Sequence, residues 1–348
     1  MKNGEVVRSR MGGSSGNLSP LDGLCMLGKG VRNYLTRRPL IISLEVTLSC
    51  NCNCRHCDLG GMRKGEKRIG PRDYAGLVRR FQPLLVQISG GEPLLREDIV
   101  DVVHAIKEAS RLTYVILVTN GALLNEDIYL RLRTAGLDQL SVSLDFADQR
   151  HDDFRRHRGL YRHLEQTVPV LAAHGNKDVI LNTAITRANY KDALVIARTA
   201  REWGVRISYS AYTPLRTNDE GYMIREAEDI AALRATMQDI IQEKRGSDHI
   251  ANSAAVLRKT LRFLEDGTMP GCQAGVRFFV VMPDGALVPC SLHRQRFESQ
   301  REMIERFSRT NSCGGCYVAI RSYSDRSLGE QIRDLPHFAR QTFPALRA

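Results

Sequence analysis

"IISLEVTLSCNCNCRHC", residues 41–57, runs an apolar, β-branched strand pattern directly into a cluster of thiols. Residues 41–49 read as a buried strand, because alternating Ile, Leu and Val without Gly or Pro suit a pleated, packed surface. The loop that follows places four of the chain's nine cysteines in the eight positions 50–57. Cys50, Cys54 and Cys57 form C-x3-C-x2-C, and Cys52 falls outside that spacing. Zinc draws four ligands, commonly as separated pairs. One tight loop with three regularly placed thiolates suits a 4Fe-4S cluster better, and three ligands leave one iron open to a small molecule.

Outward from that loop the pattern repeats. Strand-like runs at 85–89, 113–119, 137–145, 178–186 and 205–212 alternate with amphipathic stretches around 71–82, 97–110, 125–136, 160–175 and 189–203. Six βα-type units in series predict an α/β fold with a parallel sheet and right-handed crossovers, open or curled into part of a barrel. Chemistry in such folds sits at the carboxyl ends of the strands. The cysteines follow the first run, "GGEP" the second and "NG" the third, while "SLD" closes the fourth, so all four motifs fall on one rim.

The chain of 348 residues carries a net charge of +11, which attracts anions without choosing among phosphates, acidic proteins and lipid head groups. No apolar run approaches membrane-spanning length, and the first twenty residues lack an apolar signal segment, so a cytoplasmic location is expected. Thiols in a reducing compartment serve as metal ligands or catalysts more often than as disulfides. Residues 1–20 read as a flexible leader. In 21–40, Leu24, Leu27, Val31 and Tyr34 recur at helical spacing beside Lys29, Arg32, Arg37 and Arg38. Its modest length and two glycines favour a basic helix packed on the main domain over one lying on a membrane, and peripheral membrane contact stays open.

These motifs, in this order over about residues 41–212, resemble the radical S-adenosylmethionine (SAM) enzymes. The resemblance implies a partial (β/α)6 TIM-like barrel over 41–215, with Cys50, Cys54 and Cys57 as ligands of a 4Fe-4S cluster whose fourth iron chelates SAM. His56 takes the place where the family usually has an aromatic residue near the adenine. By the same resemblance Gly90, Gly91 and Glu92 meet the methionine amino group, Asn120, Ser143 and Asp145 lie at the third and fourth strand ends, Arg155 pairs with the SAM carboxylate, and Asn182 reaches the ribose. Plainer readings stand beside these. Glu92-Pro93 can simply start a helix, and Arg155 belongs to a charge run of the kind usually solvated.

A helical connector is expected over 216–268, followed by a cysteine-rich region at 269–348. Cys272 and Cys290 bracket a hairpin turning at "PDG", in the pattern C-x12-G-x4-C, and "CGGC" adds Cys313 and Cys316. The arrangement resembles the SPASM and twitch extensions of radical SAM enzymes, and no cysteine follows Cys316 as a full SPASM domain would require. Four thiolates suffice for one fully ligated second 4Fe-4S cluster, and structural zinc is the competing reading. The resemblance implies reductive cleavage of SAM to a 5′-deoxyadenosyl radical that takes a hydrogen atom from a small metabolite or peptide, for net oxidation or cross-linking. It also implies a reducing partner such as flavodoxin or ferredoxin. The alternative is a non-catalytic iron-sulfur or zinc-stabilised binding protein for nucleic acid. With 6% aromatic residues and charge spread along the chain, no nucleic-acid partner is expected.

Overall fold

The computed structural model describes residues 20–334, so all but the last residue of the proposed leader at 1–20, and the end at 335–348, lie outside the described residues. Helix α1 (Pro20–Leu35) precedes strand β1 (Ile41–Thr47). The repeat then runs α2 (Pro71–Phe81), β2 (Leu85–Gly90), α3 (Ile99–Ala109), β3 (Tyr114–Thr119), α4 (Glu126–Thr134) and β4 (Gln139–Ser143). It continues through α5 (Arg150–Arg155), α6 (Leu160–Ala173), β5 (Val179–Ile185), α7 (Ala193–Glu202) and β6 (Arg206–Ala211). Helices α8 (Ala227–Gly246) and α9 (Ala254–Asp266) form the connector, and β7 (Phe278–Val281) and β8 (Leu287–Val288) form the hairpin.

All six strands of the repeat pair in parallel, and the sheet order is β6-β5-β4-β3-β2-β1-β7-β8. This is an unclosed, partial barrel. The short helix α5 is the one element of the repeat that sequence periodicity missed, since its six residues span less than two turns. Hairpin β7/β8, placed by sequence in the cysteine-rich region, joins the barrel sheet directly. Its first strand runs parallel to β1, with Ile41 opposite Phe278 and Ser43 opposite Val280.

The two faces of the sheet differ in chemistry. Ile42, Leu44 and Val46 with Val86, Ile88, Val115, Leu117, Leu140 and Val142 are buried outward against the helices. The alternate positions point into the barrel. There the register row Glu45, Ser89, Val118, Ser141 and the row Ser143, Asn182, Ser208 carry mostly polar groups. Helix starts follow local capping rules. Asn125 accepts from Ile128 N at the head of α4, Ser253 accepts from Val256 N at the head of α9, and Asp73 of α2 reaches back to Gly70 N.

Candidate active site

The cysteine loop leaves the carboxyl end of β1 and is closed on itself by paired backbone bonds between Cys50 and Gly61, 3.0 and 3.1 Å. Its middle is tied to α5, with Asn53 N donating to Arg155 O and Arg55 N to Phe154 O. Glu66 fixes the strand end by accepting from Thr47 Oγ1 and Leu48 N, each at 2.6 Å.

A cavity of about 140 Å³ opens at this rim. Its wall holds Cys50, Cys54, Cys57, His56, Gly90, Gly91, Asn120, Ser143 and Arg155, nine of the twelve residues expected from sequence at the SAM end. Gly90 has φ +122°, and a Cβ there would stand 2.2 Å from Thr47 O, while one on Gly91 would stand 2.0 Å from Ser49 O. Only glycine lets the end of β2 pass the end of β1 this closely.

Three expected residues do not line this cavity. Glu92 is fully buried and caps the turn Pro93–Leu95, accepting from Leu94 N (3.0 Å), Thr119 Oγ1 (2.7 Å) and Asn120 N (2.7 Å). The turn-starting reading of Glu92-Pro93 is therefore realised, and burial raises its carboxyl pKa despite those donors. Asp145 is also fully buried and binds Arg155 Nε at 2.7 Å. Burial pushes Asp145 up, but the guanidinium prevails and holds it below the ordinary carboxylate value. Arg155 is thus buried and paired, not solvated, and its Nη1 lies 3.9 Å from Cys54 Sγ. Asn182 lies in register between Ser143 and Ser208, and its Oδ1 is buried without a partner.

Cys52, outside the ligand spacing, lies on the same wall with its thiol beside those of Cys50 and Cys54. A hydrogen bond from its one S–H, available to either sulfur, is the main reason the Cys50 and Cys54 pKa values fall toward about 7. Cys57 is raised by burial, which the nearby Arg216 partly opposes. His56 stacks on Phe154 at 4.8 Å, and burial lowers it to about 4. Asn120 Nδ2 donates to Asn51 Oδ1 at 2.7 Å and approaches Cys50 Sγ at 3.7 Å.

Two further residues went unread in the sequence. Glu45, 1% exposed on the inner face of β1, faces Arg216 Nη2 at 3.5 Å and leaves Oε2 buried without a partner. Arg216 follows β6 and also reaches Asp58 and Cys57 Sγ, at 3.1 and 3.9 Å. An acid inside an otherwise apolar strand was the available signal for Glu45. Arg216, in a loop, offered none.

At the other end of the chain, Arg321 gathers the later cysteines. It is fully buried and donates to Cys316 O, Met269 O and Pro270 O while pairing with Asp325. Asn311 bridges Cys272 O and Cys313 N, and Met269 N donates to Gly314 O. Cys272 and Cys290 are raised to about 11 and 12 by burial. Among the described residues, no three His, Cys, Asp or Glu side chains already stand at metal-holding spacing. The donor chemistry nevertheless fits an iron-sulfur group at the first loop: a pair of thiols whose first ionisation is favoured lines a pocket edged by glycine backbone.

Residues 44–200 match the Radical SAM superfamily. That stretch is a radical SAM domain. A probable GTP 3′,8-cyclase of Methanothermobacter marburgensis is 26% identical over 281 residues, 77% of this chain and 90% of its own. An AdoMet-dependent heme synthase of Methanosarcina barkeri is 30% identical over 205 residues, and the match spans only 56% of its length. The crystal structure of Streptococcus suis SuiB bound to precursor peptide SuiA has TM-score 0.59 over 89% of this chain and 70% of SuiB, at 17% identity, a likeness of fold alone. As a radical SAM enzyme the protein uses a 4Fe-4S cluster and SAM and requires a reductant and a substrate.

Proposed function

We propose that the protein takes a hydrogen atom from a small polar substrate held inside the barrel and carries out its net oxidation. Cys50, Cys54 and Cys57 would hold the cluster, and Gly90, Gly91, Asn120, Ser143 and Arg155 would form the SAM pocket. When bound, these groups supply a 5′-deoxyadenosyl radical, the hard chemical step. The chain's own residues place the substrate and keep water out. The observation that carries the reading is the shared wall between the cysteine pocket and the polar barrel interior, with Ser89 and Ser143 common to both. Glu45, with one unpartnered carboxylate oxygen, offers a hydrogen-bond acceptor to a hydroxyl or ammonium group there. A buried orphan acceptor is costly until a ligand donor meets it.

The second cysteine group suits an electron relay after hydrogen abstraction. The loop after β6 joins both sites: Thr213 Oγ1 donates to Gly315 O at 2.7 Å beside the later cysteines, and Arg216 reaches Cys57. A basic surface complements an acidic one-electron donor such as flavodoxin or ferredoxin. After anaerobic reconstitution, SAM and dithionite should release 5′-deoxyadenosine, and Cys54→Ala should abolish it. Presenting deuterated polar metabolites and peptides then identifies the substrate by deuterium transfer into 5′-deoxyadenosine. Glu45→Gln should depress that transfer at least tenfold, about 1.4 kcal/mol, with SAM cleavage in the absence of substrate unchanged. Transfer from a peptide alone, indifferent to Glu45, would refute the small-substrate reading.

A further inference from the structure

Helix α1 is mounted with its polar face inward. Asp22 pairs with Arg111, Lys29 Nζ donates to Ser110 Oγ (3.3 Å) and Thr113 Oγ1 (3.1 Å), and Asn33 Nδ2 donates to Pro39 O (3.0 Å) and Gln82 O (2.8 Å). These contacts lie at the amino ends of β1, β2 and β3, the end of the barrel opposite the cysteine loop. Positions 22, 26, 29 and 33 therefore make the buried stripe, one helical face.

The outward stripe is apolar. Leu21, Leu24 and Leu35 are 68, 66 and 69% exposed, Val31 shares their face, and a Cβ at Gly28 between them would meet nothing within 4 Å. The exposed Arg32, Arg37 and Arg38 border this stripe, and no Asp or Glu occurs from residue 23 to 40. An amphipathic helix normally buries its apolar face. Here the protein spends hydrogen bonds and an ion pair on holding that face toward solvent.

We infer that α1 is a docking surface for an anionic lipid bilayer, its leucines entering the head-group boundary and its arginines meeting lipid phosphates. Apolar insertion flanked by cations alone is the chemistry such a surface selects. Self-association fits less well. Residues 21, 24, 28, 31 and 35 follow 3-4 spacing, but two heptads with glycine at the centre make a poor seam, and pairing two copies brings arginines together with no acids to meet them. Docked in this way, the enzyme turns its cysteine rim away from the membrane, so the membrane serves as an anchor and the substrate enters from the aqueous side.

The test is co-sedimentation of the reconstituted protein with vesicles of phosphatidylcholine alone, or of phosphatidylcholine and phosphatidylglycerol in about equal parts. The protein should pellet with the anionic vesicles only, and less as salt rises. Leu24→Glu with Leu35→Glu should reduce the bound fraction at least tenfold while reductive SAM cleavage and the melting temperature stay unchanged. Arg37→Gln with Arg38→Gln should weaken binding and flatten its salt dependence. Failure to pellet, equal pelleting with both vesicle types, or binding indifferent to the leucine pair would overturn the inference. So would a concentration-dependent dimer in the absence of lipid that the leucine pair dissolves, since the stripe would then meet a second copy.

Discussion

Cys52 falls outside the C-x3-C-x2-C spacing yet bears on the thiols that keep it. Its single S–H can donate to the sulfur of Cys50 or of Cys54 and favours a thiolate at whichever accepts it, so in the metal-free protein the first ionisation of the pair falls near pH 7, below the ordinary thiol value of about 8.5. The sign is that of a depressed group: the thiolate forms as pH rises through about 7 and is lost below it. In reduced, metal-free protein the first of Cys50 and Cys54 to ionise should therefore alkylate with a midpoint near pH 7, while Cys272 and Cys290, pushed up to about 11 and 12 by burial, resist. In Cys52→Ala that midpoint should move upward by more than half a pH unit, about 0.7 kcal/mol. Peptide mapping of the alkylated thiols across pH checks this, and an unmoved profile would remove Cys52 from the account. The variant should still load its first cluster, since the spacing of Cys50, Cys54 and Cys57 is untouched.

Elements bring the site together where strand ends cross. Gly90 and Gly91 lie within 2.2 and 2.0 Å of backbone oxygens of the β1 end once a Cβ is placed on them, and those oxygens immediately precede Cys50. A methyl group at Gly91 has to push Ser49, and with it the root of the cysteine loop. Gly91→Ala should cost about 1–3 kcal/mol of stability, as overpacking a close contact does, and reduce iron loading in parallel. Normal iron content with normal melting would mean that the loop tolerates the displacement. Such crossings were legible only in part. The sequence showed glycines after a strand, but not that they pack against the neighbouring strand's carbonyls. The six strands were readable because each is a short β-branched run bounded by turn residues. Helix α5 was not, because six residues carry no usable period. For the same reason of range, "PDG" announced a hairpin while the pairing of β7 with β1, more than 230 residues away in sequence, had no local signature. Glu92 and Asp145 were picked out from their places in the motifs at strand ends. What sequence could not supply was their partners, Thr119 and Asn120 for one and Arg155 for the other, which hold both carboxylates off the pocket wall.

At the scale of the whole molecule, two groups of cysteines flank the barrel, and the loop after β6 touches both. Four later thiols, at 272, 290, 313 and 316, would suffice to saturate one cluster, whereas three ligands from the first loop would leave an iron open. Reconstituted protein should then contain about eight irons per chain, and Cys313→Ala with Cys316→Ala should reduce this to about four, because the first cluster has its own ligands on a separate loop. Arg321 clamps the backbone around Cys316 and Met269 through carbonyl oxygens and not through the thiols, so the double variant should remain folded, which its circular dichroism checks. If the later cluster takes the electron left on the substrate after hydrogen abstraction, this variant should still produce 5′-deoxyadenosine but no oxidised product. A parent protein holding about four irons and one zinc would make the later cysteines a structural ribbon. The surplus electron would then have to leave through the first cluster, and the contact between Thr213 and Gly315 would serve packing alone.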